Sequence, residues 1–212
     1  LFMADFIVGA FWVPFTFKGG GVLTKLLTTA GLILSIVLLL ITLPICLIVC
    51  FAIYFELRVN PIYTQKRVGL NGHVFKIYKL RSMYIDAEKD GPKWASENDE
   101  RITKVGHIIR KLRIDELPQL VNIIKGDMSF IGPRPERPEL IKEFIKYVPD
   151  FNDRLSVKPG ITGWAQINGG YLLTPREKLK YDKYYIENRG VKLDLLIIVK
   201  TITVILTRDG AR

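Results

Sequence analysis

One uncharged stretch constrains the fold of this chain more than any other feature. Residues 26–55 are thirty consecutive residues without a charged side chain. An α-helix of that length measures about 45 Å, which is well over the ~30 Å hydrocarbon core of a bilayer. The stretch therefore predicts a membrane anchor, and we place that anchor at residues 25–57.

A proline divides the apolar stretch and leaves two arrangements open. Pro44 removes a backbone donor and disfavours the preceding helical turn, so the chain forms either a kinked span or a helix-break-helix hairpin that re-enters the same face. Hydropathy alone favours the span. Basic residues mark the cytoplasmic side, and they flank both ends, with Lys25 before the stretch and Arg58 after it. We expect the re-entrant arrangement, with both of these residues on the cytoplasmic side.

The remaining charge narrows the class of partner. The chain carries a formal net charge of +10, all of it outside the apolar stretch. A basic surface suits nucleic acid, an anionic membrane or a phosphorylated substrate, and the apolar stretch favours the last two. Cys46 and Cys50, the two cysteines, both lie in the apolar stretch and are expected to pack there, so no disulfide framework or zinc site is predicted.

The local patterns after the anchor predict an α+β, mostly helical fold. Two short strands at 62–65 and 74–78 with an Asn-Gly turn between them indicate a β-hairpin. Helical patterns follow at 103–112, 117–125, 139–148, from Thr174 onward, and at 193–207. The last of these is too short to span a bilayer comfortably and is expected against the membrane interface or the core. We divide the chain into an apolar segment or remnant of a longer protein at 1–24, the anchor at 25–57 and a further domain at 58–212.

The densest group of chemically capable residues spans 110–118. Asp115 and Glu116 are adjacent carboxylates at a predicted helix start, and three cations precede them, Arg110, Lys111 and Arg113. A helix amino end is electropositive and binds anions, an ionised carboxylate is a nucleophile, and paired carboxylates with phosphate oxygens suit Mg²⁺. Ordinary capping of a helix by acidic residues remains the alternative interpretation.

Three other segments could bind phosphate or remain solvated. Arg134 lies between two prolines, and arginine binds phosphate through a planar pair of donors. Lys79 and Arg81 would share one face of a strand. The glycine-rich segment 158–170 carries Trp164, which could stack on a ring or lie in the membrane interface. The glycine patterns of nucleotide-binding P-loops and dinucleotide-binding folds are absent from the sequence.

Five segments in order resemble the bacterial sugar transferase family, the monotopic polyprenyl-phosphate phosphoglycosyl transferases. They read FKIYKLRSM from Phe75, RIDELPQLVNIIKGDMSFIGPRP from Arg113, VKPGITGWAQINGG from Val157, YDKYYIEN from Tyr181 and LDLLIIVKTI from Leu193. The resemblance runs from about Lys25 to Arg212. Within the family, the chain is similar to members of the exopolysaccharide type. Many members carry Ser-Pro at the break of the membrane helix, where this chain has Leu43-Pro44.

The resemblance implies a reaction, a cofactor and a location. Members move a sugar-1-phosphate from a UDP-sugar to polyprenyl (undecaprenyl) phosphate, the first membrane step of exopolysaccharide or glycoconjugate assembly. By this resemblance Asp115 is the nucleophile that forms an aspartyl phospho-sugar, and Asp115 and Glu116 hold Mg²⁺. The catalytic domain is expected on the cytoplasmic face of the bacterial inner membrane, among membrane lipids.

The resemblance also implies substrate-binding residues, which are Lys79, Arg81, Arg110, Gln119, Arg134 and Asp182. No nucleic-acid partner is expected, and a homodimer is left open. The alternative function is a membrane-anchored basic scaffold that binds phosphate-rich partners without chemistry. The Asp115-Glu116 pair argues against it, because a scaffold has no use for paired carboxylates inside a basic pocket.

Overall fold

The structure, a computed structural model, describes residues 22–89, 91 and 99–207. Nearly all of the predicted N-terminal segment 1–24 lies outside the described residues. The described part is mostly helical with two small sheets, which confirms the predicted α+β class in its coarse form.

Helix α1 runs from Val22–Leu57 and contains the whole apolar stretch. Its portion Thr29–Leu57 is long and apolar enough to cross a membrane, and little of it is covered by the rest of the protein. The helix continues through Pro44 without a break. The predicted membrane anchor is therefore present as a helix, whereas the predicted break at Pro44 is not seen.

The domain packs along α1 on both sides of Pro44. Before the proline, Leu38 and Leu39 lie against a buried cluster that includes Phe75 and Ile123. After it, Ile53 is fully buried, with Val49, Cys50 and Leu57 in the same cluster as Leu80 and Ile109. The anchor and the domain consequently share their core.

The predicted hairpin is confirmed and is longer than expected. Strand β1 (Ile62–Val68) pairs antiparallel with strand β2 (Val74–Leu80), in a register that runs from Ile62↔Leu80 to Val68↔Val74. The tight turn uses positive φ at Asn71 (52°) and Gly72 (81°), as an Asn-Gly turn requires.

The predicted helices are all present. Their bounds are Lys104–Lys111 for α2, Gln119–Ile124 for α3, Pro138–Phe144 for α4, Pro175–Asn188 for α6 and Val191–Thr207 for α7. Helix α6 begins with the predicted capping box, in which Thr174 and Glu177 bond reciprocally. Helix α7 buries Ile197 and exposes Val199 and Ile202 on another side, so its predicted place at a membrane interface stays a prediction.

A second, parallel sheet was not predicted. Strand β3 (Ser129–Ile131) pairs with β4 (Gly160–Thr162), and the short helix α5 (Trp164–Ile167) follows. Gly132, Gly160 and Gly163 allow the backbones of the two strands to approach closely. A Cβ on Gly132 would lie 2.4 Å from the Lys158 carbonyl oxygen, and one on Gly163 would lie 2.1 Å from the Gly132 carbonyl oxygen. Strands of three residues carry too little pattern to be found from sequence.

We expect Gly132→Ala to lower stability by about 1–3 kcal/mol or more, because its Cβ would collide with the backbone of β4. The measurement is the melting temperature of the purified protein in detergent. Gly190→Ala is the matched control, since nothing lies within 4 Å of a Cβ there. Equal melting temperatures for the two variants would contradict the close approach of Gly132 to the backbone at residues 158–160.

Candidate active site

The acidic pair lies in a turn of its own. Asp115 and Glu116 belong to a 3₁₀ turn, Ile114–Glu116, that follows α2, and both are buried. The pair was expected in the first turn of an α-helix, but α3 begins only at Gln119. The reason is Pro118, which has no N–H to donate to the Ile114 carbonyl, so that Leu117 donates there instead at 3.1 Å.

Two cations from distant parts of the chain bind Glu116. Its Oε1 accepts a hydrogen bond from Lys79 Nζ at 2.8 Å and another from Arg134 Nη2 at 2.5 Å. Lys79 lies on β2 and Arg134 in the loop that follows β3. The structure therefore brings together four of the predicted site residues, and the fold as a whole positions them.

The negative charge of the Asp115 carboxylate has fewer close cationic partners than that of Glu116. Among the described residues, Asp115 forms one ion pair, with Lys79 Nζ 3.8 Å from its Oδ2. Among the described residues, none donates a hydrogen bond to its carboxylate. Arg110, in the last turn of α2, is close enough to act on it electrostatically.

The electrostatic surroundings shift the pKa values of Asp115 and Glu116 in opposite directions. Burial raises the pKa of Asp115, the charge of Glu116 raises it further, and Lys79, Arg110 and Arg134 offset this only in part. Burial also acts to raise the pKa of Glu116, but Arg134 and Lys79 outweigh it and hold that pKa well below its usual range. Glu116 is thus held ionised in an ion cluster, whereas the charged form of Asp115 is disfavoured by burial.

Gln119 follows Glu116 by three residues, one 3₁₀ turn later. The turns from Ile114 to Leu120 follow 3₁₀ spacing, in which residues three apart align. Gln119 is 1% exposed, and its Nε2 has no hydrogen-bond partner among the residues that the structure describes. Because a buried amide without a partner is destabilising, this donor is a candidate for a ligand contact.

Two predicted substrate-binding residues lie elsewhere. Strand β2 ends at Leu80, so Arg81 leaves the sheet, donates from Nε to the Asn60 carbonyl at 3.0 Å and lies over the Tyr63 ring. Asp182 is buried on α6, and its Oδ2 accepts a hydrogen bond from Arg154 Nε at 2.8 Å. Neither contacts Glu116 in the described part of the chain.

For Trp164 the sequence left open stacking on a ring or a place in the membrane interface, and in the structure its ring has partners within the chain. Its ring stacks on Tyr184 with 5.5 Å between centroids, and the Lys200 ammonium lies 5.4 Å from its centroid. These contacts join α5 to α6 and α7.

The carboxylate pair fits Mg²⁺ only as a partial ligand set. No group of three or more His, Cys, Asp or Glu side chains that could hold a metal occurs among the described residues. Mg²⁺ commonly uses one or two carboxylates and completes its shell with water and substrate phosphates. Burial disfavours the charged form of Asp115 and raises its pKa, and a bound divalent cation would offset that penalty.

The family description "Bacterial sugar transferase" matches residues 24–208. The chain belongs to the bacterial sugar transferase family. This sugar transferase is 49% identical over 154 residues to the UDP-N-acetylgalactosamine-undecaprenyl-phosphate N-acetylgalactosaminephosphotransferase of Aeromonas hydrophila, covering 71% of the chain and 36% of that protein. It is 39% identical over 165 residues to the undecaprenyl-phosphate galactose phosphotransferase of Salmonella typhimurium, covering 71% and 34%.

A shorter relative is matched over most of its length. The uncharacterized sugar transferase EpsL of Bacillus subtilis is 42% identical over 149 residues, which cover 70% of the chain and 71% of that protein. The two phosphotransferases are longer, and the sugar transferase described here spans about a third of each.

Proposed function

We propose that the chain is a phosphoglycosyl transferase that moves a sugar-1-phosphate from a UDP-sugar to undecaprenyl phosphate through an aspartyl phospho-sugar on Asp115. One observation carries the proposal, the unequal compensation of two adjacent buried carboxylates beside three cations. The product would start exopolysaccharide or glycoconjugate assembly. The names of the relatives support this class of reaction.

The first step forms a bond between an Asp115 carboxylate oxygen and the phosphorus that carries the sugar. The bond from that phosphorus to the oxygen of UMP breaks, and UMP leaves with the electron pair. In the second step a phosphate oxygen of undecaprenyl phosphate attacks the same phosphorus. The bond to Asp115 then breaks, which restores the carboxylate and leaves the sugar on a lipid diphosphate.

Lys79 and Arg134 would stabilise the transferring phosphoryl group. Each spends a donor on Glu116 Oε1, but an ammonium has three N–H donors and a guanidinium has five. Glu116 would therefore orient both cations toward the phosphate oxygens of a bound substrate. Arg110, in the last turn of α2, adds positive charge near Asp115.

We further propose that Asp115 and Glu116 hold Mg²⁺. When bound, the cation would neutralise negative charge on the diphosphate and polarise its phosphorus. Glu116 has a second carboxylate oxygen, Oε2, for such a contact, since Lys79 and Arg134 both bind Oε1.

The direct test of the activity is release of UMP by purified protein with Mg²⁺, undecaprenyl phosphate and a series of UDP-sugars. At least one UDP-sugar should give UMP and a lipid-linked sugar diphosphate. Binding of phosphate-rich lipids without UMP release from any donor would favour the non-catalytic scaffold instead.

Gln119 is proposed to donate a hydrogen bond from Nε2 to bound substrate. We expect Gln119→Leu to keep or raise the melting temperature, because it removes a buried amide without a partner. The same variant should lower kcat/KM for the UDP-sugar by roughly 10-fold or more, in line with loss of a hydrogen bond to a charged group. A lower melting temperature with unchanged kinetics would assign Gln119 to the fold alone.

For the anchor we propose the re-entrant arrangement, with the domain on the cytoplasmic face of the inner membrane. Its support is the packing along α1. The helix rises only about 24 Å from Val22 to its first core contacts at Leu38 and Leu39, which is less than the ~30 Å hydrocarbon core. Helix α1, which is continuous through Pro44 in the structure, would then have to bend there in the bilayer.

Single cysteines at Lys25 and Arg58, in a background without Cys46 and Cys50, test this topology. A membrane-impermeant thiol reagent should label neither site in intact spheroplasts and both sites in inverted inner-membrane vesicles. Labelling of the Lys25 site alone in spheroplasts would establish a spanning helix.

A further inference from the structure

The loop that carries Arg134 is bound at every carbonyl from residue 133 to residue 136. Two of these carbonyls accept from backbone N–H groups and two accept from arginine side chains. The pairs are Pro133 with Gly160 N at 3.0 Å, Arg134 with Arg154 Nη2 at 2.8 Å, Pro135 with Arg67 Nη1 at 3.0 Å and Glu136 with Val68 N at 2.9 Å.

Arg154 is the more buried of the two arginine donors. It lies in the 3₁₀ segment Pro149–Ser156, is 2% exposed and covers the Phe151 ring at 4.9 Å. Its Nε donates to Asp182 Oδ2, and Asp182 is 1% exposed. The planar guanidinium is thus fixed at Nε by Asp182 and presents Nη2 to the Arg134 carbonyl.

A continuous path of contacts therefore reaches the carboxylate pair. Asp182 binds Arg154, Arg154 binds the backbone of Arg134, and the Arg134 side chain binds Glu116. The first two residues come from different elements, neither of which supplies a side chain that contacts Asp115 or Glu116 among the described contacts.

We propose that Arg154 is a positioning residue, held by Asp182, that fixes the Arg134 backbone so that the Arg134 guanidinium meets the donor phosphate and Glu116 together. The proposal rests on the proposed function. It also reassigns Asp182 from substrate binding to the support of Arg154. A buried ion pair is weak evidence for a role in stability alone, since apolar replacement of both partners is often neutral.

Arg154→Lys separates the charge of Arg154 from its contact with the Arg134 carbonyl. Lysine keeps the positive charge beside Asp182, but its single ammonium lacks the second arm that reaches the Arg134 carbonyl. We expect kcat/KM for the UDP-sugar to fall roughly 10- to 100-fold, as expected when a binding group is misplaced. The value of kcat/KM for undecaprenyl phosphate should fall less than that for the UDP-sugar, because the lipid reacts after UMP has left.

A double-mutant cycle with Arg134→Ala separates positioning from general damage. If Arg154 acts through Arg134, then adding Arg154→Lys to Arg134→Ala should change kcat/KM by less than about twofold. A full, independent loss in that background would overturn the proposal. So would wild-type kinetics for Arg154→Lys alone.

Arg101→Lys is the matched control. Arg101 also binds an aspartate, Asp99, and also donates to a backbone carbonyl, that of Ala87 at 3.0 Å. Its effect on kcat/KM should be the same with and without Arg134→Ala, because no described contact joins it to Arg134. If the control couples to Arg134 as strongly as Arg154→Lys does, the proposed path is not specific and the proposal is wrong.

If Arg154→Lys does not fold, the double replacement Arg154→Met with Asp182→Leu removes both charges and enters the same cycle. The same criterion applies: a small further loss with Arg134→Ala supports the proposal, and an independent loss overturns it. These outcomes differ from failure of the proposed function, in which the wild-type protein releases no UMP from any donor.

Discussion

Asp115→Asn should abolish turnover while the protein remains folded. Asparagine has nearly the same shape, but its amide is not a nucleophile toward phosphorus, so we expect UMP release to fall by roughly 10³-fold or more. The substitution also removes a buried charge beside Glu116, which should leave the melting temperature unchanged or higher at neutral pH.

UMP release and thermal unfolding of the same preparation provide the measurement, with Asp150→Asn as control. Asp150 is an exposed aspartate whose carboxylate binds Lys183. No described contact joins it to Asp115 or Glu116. Near-normal turnover by a folded Asp115→Asn protein would remove Asp115 from the role of nucleophile.

Glu116→Gln should have the second largest effect, because it leaves Lys79 and Arg134 without their shared anion. We expect UMP release to fall roughly 10²-fold, as when a preorganised charged group is lost, and the Mg²⁺ concentration for half-maximal rate to rise. The melting temperature should fall at neutral pH, since breaking a buried ion cluster at one member is destabilising.

The pH dependence of that loss follows from the pKa of Glu116. Lys79 and Arg134 lower its pKa in the folded state, so the ionised cluster contributes stability above the unfolded pKa of about 4.3. That contribution is lost as the pH falls through the folded pKa. The difference in melting temperature between wild type and Glu116→Gln should therefore shrink in acid.

Asp115→Asn should show the opposite sign, which makes it an internal control. Because the folded pKa of Asp115 is raised, its ionisation costs stability as the pH rises, and the variant should gain most at neutral pH. A Glu116→Gln variant that keeps a wild-type melting temperature and Mg²⁺ response at neutral pH would contradict the account of the ion cluster.

Local patterns in the sequence predicted most of the secondary structure. The Asn-Gly turn at Asn71 and the capping box at Thr174 depend on neighbours in sequence, and both are confirmed. The pairing of β3 with β4 was not predicted, because it depends on the close approach of glycines that are about thirty residues apart in sequence. The predicted helix break at Pro44 is a further difference, because helix α1 continues through that residue.

The candidate site was predictable only in part. Asp115 and Glu116 stood out as adjacent carboxylates among cations, whereas the pairing of Glu116 with Lys79 and Arg134 needed either the fold or the family resemblance. Arg154 gave no signal, because an arginine in a polar segment is indistinguishable from a solvated one until its burial is known. Asp182 was singled out, but the structure places it beside Arg154.

The most direct test of the central claim is the mass of the intact protein after incubation with UDP-sugar and Mg²⁺ in the absence of undecaprenyl phosphate. The account predicts that UMP is released and that the protein gains the mass of a single sugar phosphate, located on the peptide that contains Asp115. Addition of undecaprenyl phosphate should remove the added mass, and Asp115→Asn should never acquire it. Release of UMP only when both substrates are present, with no added mass on the protein at any time, would show direct transfer and contradict the aspartyl intermediate.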